Sequence, residues 1–172
     1  MLKLAGILCI LTGCIGWGAG KIKEERGRVI HLRELIHIIK RIQSEISYGK
    51  HTLPEICLIL SEYGGALYQT YFKKIYEQMD QRSGTCLIQI WKQQMEQCLE
   101  EVPLVQEEKD ILINLPQNLG MPEEKQQAES IGQFLDLLMR RCRQAEDAYA
   151  NKSRMIFSVS LLAGIFLAIL LI

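Results

Sequence analysis

The sequence predicts an all-α protein, a compact bundle of about six helices set between an N-terminal and a C-terminal transmembrane helix. Three observations in the 172 residues lead there. Charge is confined to the middle: no acidic residue precedes Glu24 or follows Asp147, and only Lys3 breaks the rule for basic ones before Lys21. Within that middle, apolar residues recur every three or four positions, the period of an amphipathic helix. No stretch alternates with a period of two, and no repeat or Pro/Gly/Ser-rich linker divides the chain.

The three predicted regions are an N-terminal membrane segment at 1–20, a cytoplasmic helical domain at 21–154 and a C-terminal membrane helix at 155–172. Met155 to Ile172 is uncharged throughout. As a helix it measures about 27 Å, close to the hydrocarbon thickness of a bilayer. The N-terminal run Leu4 to Ala19 is shorter, about 24 Å, and carries Gly6, Gly13, Gly16 and Gly18. Two other readings compete for it. Gly18-Ala19-Gly20 has the small residues of a signal-peptide cleavage site, and Leu11-Thr12-Gly13-Cys14 resembles a bacterial lipoprotein box, which would place a lipid on Cys14 and the domain outside as an exported binding module. Four basic residues follow at once, Lys21, Lys23, Arg26 and Arg28, and favour a retained span. A second basic group, Arg140, Arg141, Arg143, Lys152 and Arg154, precedes the C-terminal segment. Lys and Arg resist translocation, so the middle is expected in the cytoplasm.

Leu32, Leu35, Ile36, Ile39, Ile42 and Ile46 predict a helix over Val29–Tyr48, stopped by Gly49. Thr52-Leu53-Pro54-Glu55 reads as a capping box, with Thr52 accepting a backbone bond and Glu55 reaching back; its helix runs to Tyr63 and ends at Gly64-Gly65. A third helix spans Ala66 to about Gln81 and a fourth Cys86 to Glu101, separated by a turn at Ser83-Gly84-Thr85. Pro103 precedes a fifth, Val105 to Leu115, which Pro116 should bend or end. Gly120-Met121-Pro122 is the last breaker. From Glu123, Ile131, Phe134, Leu135, Leu138 and Cys142 carry one helix onward into the apolar tail.

The residues offer no reaction. His31 and His37 lie six apart, on different helix faces, and neither has a carboxylate at ligand spacing. There is no CxxC pair, phosphate loop, GxSxG or HExxH. No enzyme activity, cofactor, metal or small-molecule substrate is expected, and zero net charge gives no drive toward nucleic acid. The cysteines read as reduced packing residues. What remains is surface. Acidic residues concentrate from Glu96 to Glu129, and Glu96, Glu100, Glu101, Glu107, Glu108 and Asp110 are the candidate partner-binding residues. Trp91 and Tyr48, Tyr63, Tyr68, Tyr71 and Tyr76 suit a core or an anchor for a partner. Gly16-x-x-x-Gly20 and Gly164-x-x-x-Ala168 have the spacing for close helix approach, which would also permit a homo-oligomer.

Glu45-Ile46-Ser47-Tyr48-Gly49 leading to Thr52-Leu53-Pro54-Glu55, then Leu119-Gly120 ahead of a helix that opens with Gln126-Gln127, resembles the stage III sporulation protein AB family. The likeness runs nearly end to end; one departure is Leu115-Pro116, where the family's pattern has a second Leu-Gly. It marks Glu45, Tyr48, Gly49, Leu53, Pro54, Glu55, Leu119, Gly120 and Gln127 as motif residues. The resemblance implies a non-enzymatic platform subunit of a type II secretion-like channel complex, in the mother-cell membrane facing the engulfed forespore. Its soluble part would resemble the platform domain of type II secretion and type IV pilus systems. A secretion-type ATPase and other membrane subunits of the channel would be its partners, with the acidic surface as the first place to look for the ATPase contact.

Overall fold

Two long helices set the geometry. In this computed structural model, which describes residues 2–49, 51–63, 65–81, 86–119 and 124–171, α1 spans Leu2–Ser44 and α7 spans Glu124–Leu171. At 43 and 48 residues they measure about 64 and 72 Å. Between them come a five-residue π-helical turn, Glu45–Gly49, and the shorter helices α2 (Leu53–Tyr63), α3 (Ala66–Asp80), α4 (Leu87–Glu100), α5 (Gln106–Ile113) and α6 (Leu115–Leu119). The described residues contain no strand.

The long helices pack antiparallel along a seam spaced as in a coiled coil. On α1 the fully buried positions Leu32, Leu35, Ile39 and Ile42 alternate steps of three and four, as do Ile131, Leu135, Leu138, Cys142 and Ala145 on α7. Each such aliphatic side chain removed from water stabilises by about 1.5–3 kcal/mol, which explains why 3.5-residue periodicity overrides the local charges. Paired residues fix the register. Gln43 faces Gly132, the Arg33 guanidinium donates twice to Glu146 Oε1 at 2.9 and 2.7 Å, and the Lys152 ammonium donates to Glu25. The start of α1 and the end of α7 therefore leave the bundle together.

On one side of this pair sits the α2–α3–α4 layer. Tyr68, Phe72 and Ile75 of α3 are buried with Trp91, Met95 and Leu99 of α4. Phe72 and Trp91 rings lie 5.8 Å apart and tilted, and the Trp91 indole N–H donates to the Leu112 carbonyl at 3.1 Å. The Tyr68 hydroxyl meets His31 Nδ1 at 3.2 Å. Tyr68, Tyr71 and Trp91 are thus core residues, whereas Tyr48 and Tyr63 stand out in solvent.

Several local expectations change. The apolar N-terminal run and the predicted helix at Val29–Tyr48 are one uninterrupted α-helix, and its last turn widens to a π turn before Gly49. Around Thr52 only half of the capping box forms. Glu55 Oε2 accepts the Thr52 backbone N–H at 2.7 Å, while the Thr52 hydroxyl donates to the same oxygen at 2.9 Å. The predicted fifth helix ends earlier, at Ile113, and Leu115 and Pro116 open a further helix, α6, because proline suits a first turn, where its missing N–H is not needed. The turn at Ser83–Thr85 and the breaker Gly120-Met121-Pro122 lie outside the described residues.

Among the described residues no helix is long and apolar enough to cross a membrane. The side chains at 1–19 and at most positions beyond 156, where the two membrane segments were expected, are outside the description.

Candidate interaction surfaces

Two regions combine sequence-marked residues with unusual geometry. The first is the α4–α5 face. Val102 and Leu104 are buried at the junction, and Pro103 lies so close to α1 that a Cβ on Gly27 would be 3.3 Å from its ring. The next two carboxylates then diverge. Glu107 accepts from Arg141 on α7. Glu108, fully buried, takes a two-pronged bond from Arg28 on α1, Nη2 to Oε1 at 2.6 Å and Nε to Oε2 at 3.1 Å. Glu108 Oε2 also accepts the Val105 backbone N–H at 3.2 Å, capping α5. Hydrogen bonding to Glu108, helped by the charges of Glu108 and Glu25, outweighs burial and raises the Arg28 guanidinium above its ordinary value.

Of the six acidic residues marked in the sequence, Glu108 is therefore a strut inside the fold rather than surface. Glu96, Glu100 and Asp110 line one groove between α4 and α5, about 340 Å³ in volume, with Leu99 and Ile113 in its wall. Glu96 lies 3.9 Å from Lys92, and Asp110 accepts from Gln106 at 2.8 Å. Glu101 accepts the Tyr71 hydroxyl at 2.8 Å, and that bond, with burial, pushes the phenol up to about 12. Sequence reasoning counted Arg28 as a membrane flank and missed its pairing with Glu108. The signal was its phase, since Arg28 lies in register with Leu32, Leu35 and Ile39 on the buried stripe of α1.

The second region is the corner after α1, where most of the family motif gathers. The π turn lets Glu45 accept from Arg41 Nε at 2.8 Å and lie 3.6 Å from His51, whose other ring nitrogen is 3.7 Å from Glu55. The Thr52 backbone N–H, then its hydroxyl and His51, hold the Glu55 carboxyl below its ordinary range. Arg41 sits 5.8 Å from the centre of the Tyr63 ring. Leu53 packs against the core, Pro54 stands in the first turn of α2, and Gly49 closes the π turn. Tyr48 is 88% exposed and Tyr63 75%, an uncommon state for two aromatic side chains on one corner. Of the remaining motif positions, Leu119 ends α6 and Gln127 lies in α7; their side chains, and Gly120 altogether, are outside the described residues.

Among the described residues, no group of three or more His, Cys, Asp or Glu could hold a metal ion. Cys57, Cys98 and Cys142 are free and buried, and Cys86 is free and exposed. Burial pushes the Cys57 and Cys98 thiols up to about 12, with Glu101 and Glu34 adding to the effect at Cys98.

Compared with known proteins, residues 3–172 match the family described as stage III sporulation protein AB. The chain belongs to that family. It is 29% identical to stage III sporulation protein AB of Bacillus subtilis (strain 168) over 173 residues, covering 99% of each chain. It also shares the fold of a solved structure of stage III sporulation protein AB, with a TM-score of 0.65 at 22% identity, over 72% of this chain and 97% of the other. Membership in this family of sporulation proteins confirms the expectation drawn from the Tyr48-Gly49 and Leu53-Pro54-Glu55 segment.

Proposed function

We propose that this chain is a non-enzymatic platform subunit of a secretion-like channel complex in sporulation. Residues 1–20 and 155–172 anchor it in the mother-cell membrane facing the forespore, with 21–154 in the cytoplasm. One observation carries the reading: the antiparallel register from Gln43–Gly132 to Glu25–Lys152 brings both apolar ends out of the same end of the bundle. A helical hairpin of this kind meets a bilayer with its two basic flanks at one level.

The π-turn corner is then the part of the domain farthest from the membrane. Tyr48 lies about 30 Å beyond Arg28 along α1. In this reading the corner, with exposed Tyr48 and Tyr63 beside Arg41, docks the secretion-type ATPase; aromatic and arginine side chains are the usual anchors of such contacts. The α4–α5 face is less suited to the ATPase, because its junction sits at the level of Gly27 and Arg28, close to the bilayer.

A cysteine placed at Gln117, exposed in α6, in an otherwise cysteine-free chain tests the anchoring. It should resist an impermeant thiol reagent in intact cells and react after lysis; labelling in intact cells removes the proposal. Tyr48→Ala/Tyr63→Ala should lower recovery of the ATPase with the full chain at least tenfold while leaving helix content unchanged. Undiminished recovery would move the docking site elsewhere.

A further inference from the structure

Opposite charges occupy opposite flanks of this domain. The exposed stripe of α1 carries Lys23, Arg26, Arg33, His37 and Lys40, with the half-buried carboxylate of Glu34 at its edge. At 100° per residue, His37 lies half a turn from Arg28, and Arg26, Arg33 and Lys40 lie within about 60° of His37. Arg28 points to Glu108 and so to α5, which puts the basic stripe on the side of α1 away from the α4–α5 face. Arg33 is held by Glu146 on α7, while Arg26 and Lys40 have no ion pair among the described residues.

The other flank is acidic. Glu96, Glu100, Glu101, Glu107 and Asp110 are exposed there against Lys92, Lys109 and Arg141, the last already held by Glu107, and three of the five line the groove between α4 and α5. Height is fixed by two contacts. Pro103 rests on Gly27 and Glu108 on Arg28, so Glu100, Glu101 and Glu107, within a few residues of that junction, stand level with the lower half of the basic stripe.

We infer that the basic stripe of α1 docks on the α4–α5 acidic face of a second copy of this chain. The contact is heterologous, one flank of each copy against the other flank of the next, and repetition builds a ring or a row. Copies anchored in one membrane share one orientation; this shared orientation rests on the anchoring proposed above, whereas the charge match does not. The zero net charge suits such packing, because copies bring opposite edges together without a net field that repels neighbours.

Charge exchange tests it on the full chain in detergent or nanodiscs, with two differently tagged copies. Arg26→Glu/Lys40→Glu alone and Glu96→Lys/Glu100→Lys alone should each lose self-association, measured by co-purification and mass photometry, by tenfold or more at low salt. Mixing the two variants should restore association to within about threefold of the parent, because every interface is again opposite in sign. All four positions are exposed, and unchanged helix content and melting confirm that each variant folds. Self-association that survives either reversal overturns the inference. So does a mixture that fails to recover, which would assign the two flanks to other partners.

Discussion

The Arg28 guanidinium meets the Glu108 carboxylate in a two-pronged pair, eighty positions apart in sequence, with Glu108 wholly out of water. It joins α1 to the start of a helix of only eight residues, and the adjacent Glu107 ties the same helix to α7. A buried pair of this kind adds little over a well-packed apolar pair, but breaking it leaves a stranded charge. Arg28→Met should therefore cost about 3–5 kcal/mol, and Arg28→Met/Glu108→Leu should recover most of that loss. Urea denaturation of the three proteins decides it; a double variant as unstable as the single would show that the pair itself drives the fold.

Trp91 is the largest side chain in the core and donates to Leu112 across the α4–α5 connection. Trp91→Ala should destabilise by about 3–5 kcal/mol, lowering the melting temperature by about 10 °C in a chain of this size. Trp91→Phe keeps most of the volume and loses the hydrogen bond, so about 1–3 kcal/mol is expected. Equal losses for the two variants would mean that volume contributes nothing.

Thiol reactivity should divide by burial. In a Cys9→Ser/Cys14→Ser background, exposed Cys86 reacts first with a neutral thiol reagent at mild alkaline pH. Cys57 and Cys98, buried and pushed up to about 12, and Cys142, raised mainly by burial, wait for unfolding. Fast modification of Cys57 in the native protein would contradict the packing of α2.

Acid should loosen the α1–α7 seam. The hydrogen bond from Arg33 holds the Glu146 carboxyl below its ordinary value of 4.5, and Glu55 is lowered by Thr52. Groups depressed in the folded state stabilise it above the ordinary carboxylate range and lose that contribution as pH falls through their folded values. Melting temperature should accordingly hold with respect to these groups down to about pH 5 and fall below it. Glu146→Gln should flatten part of that fall; a parent-like acid slope in this variant would assign the effect elsewhere.

Much of the helical plan is readable from residue spacing alone. α3 and α4 appear within a residue of their predicted ends, since each has an apolar face bounded by glycine or proline. The continuity of α1 does not, because an oily run followed by a charged one reads as two elements. Only the three-dimensional seam shows that the same backbone serves both. Glu108 is hidden for a related reason: it stands in a run of exposed acids, and its partner lies eighty positions upstream. The corner at Tyr48 was marked by its motif, but its exposure depends on a π turn that no local propensity signals.

An unbroken α1 also makes the domain a lever. About 42 Å of helix separates Gly20 from Tyr48, and the α7 seam braces it against bending. For an anchored chain, a change of 10° in the inclination of the embedded segments would swing Tyr48 sideways by about 7 Å on this geometry. Small adjustments within the lipid would thus be magnified at the far corner, in a direction set by how the paired rods lean.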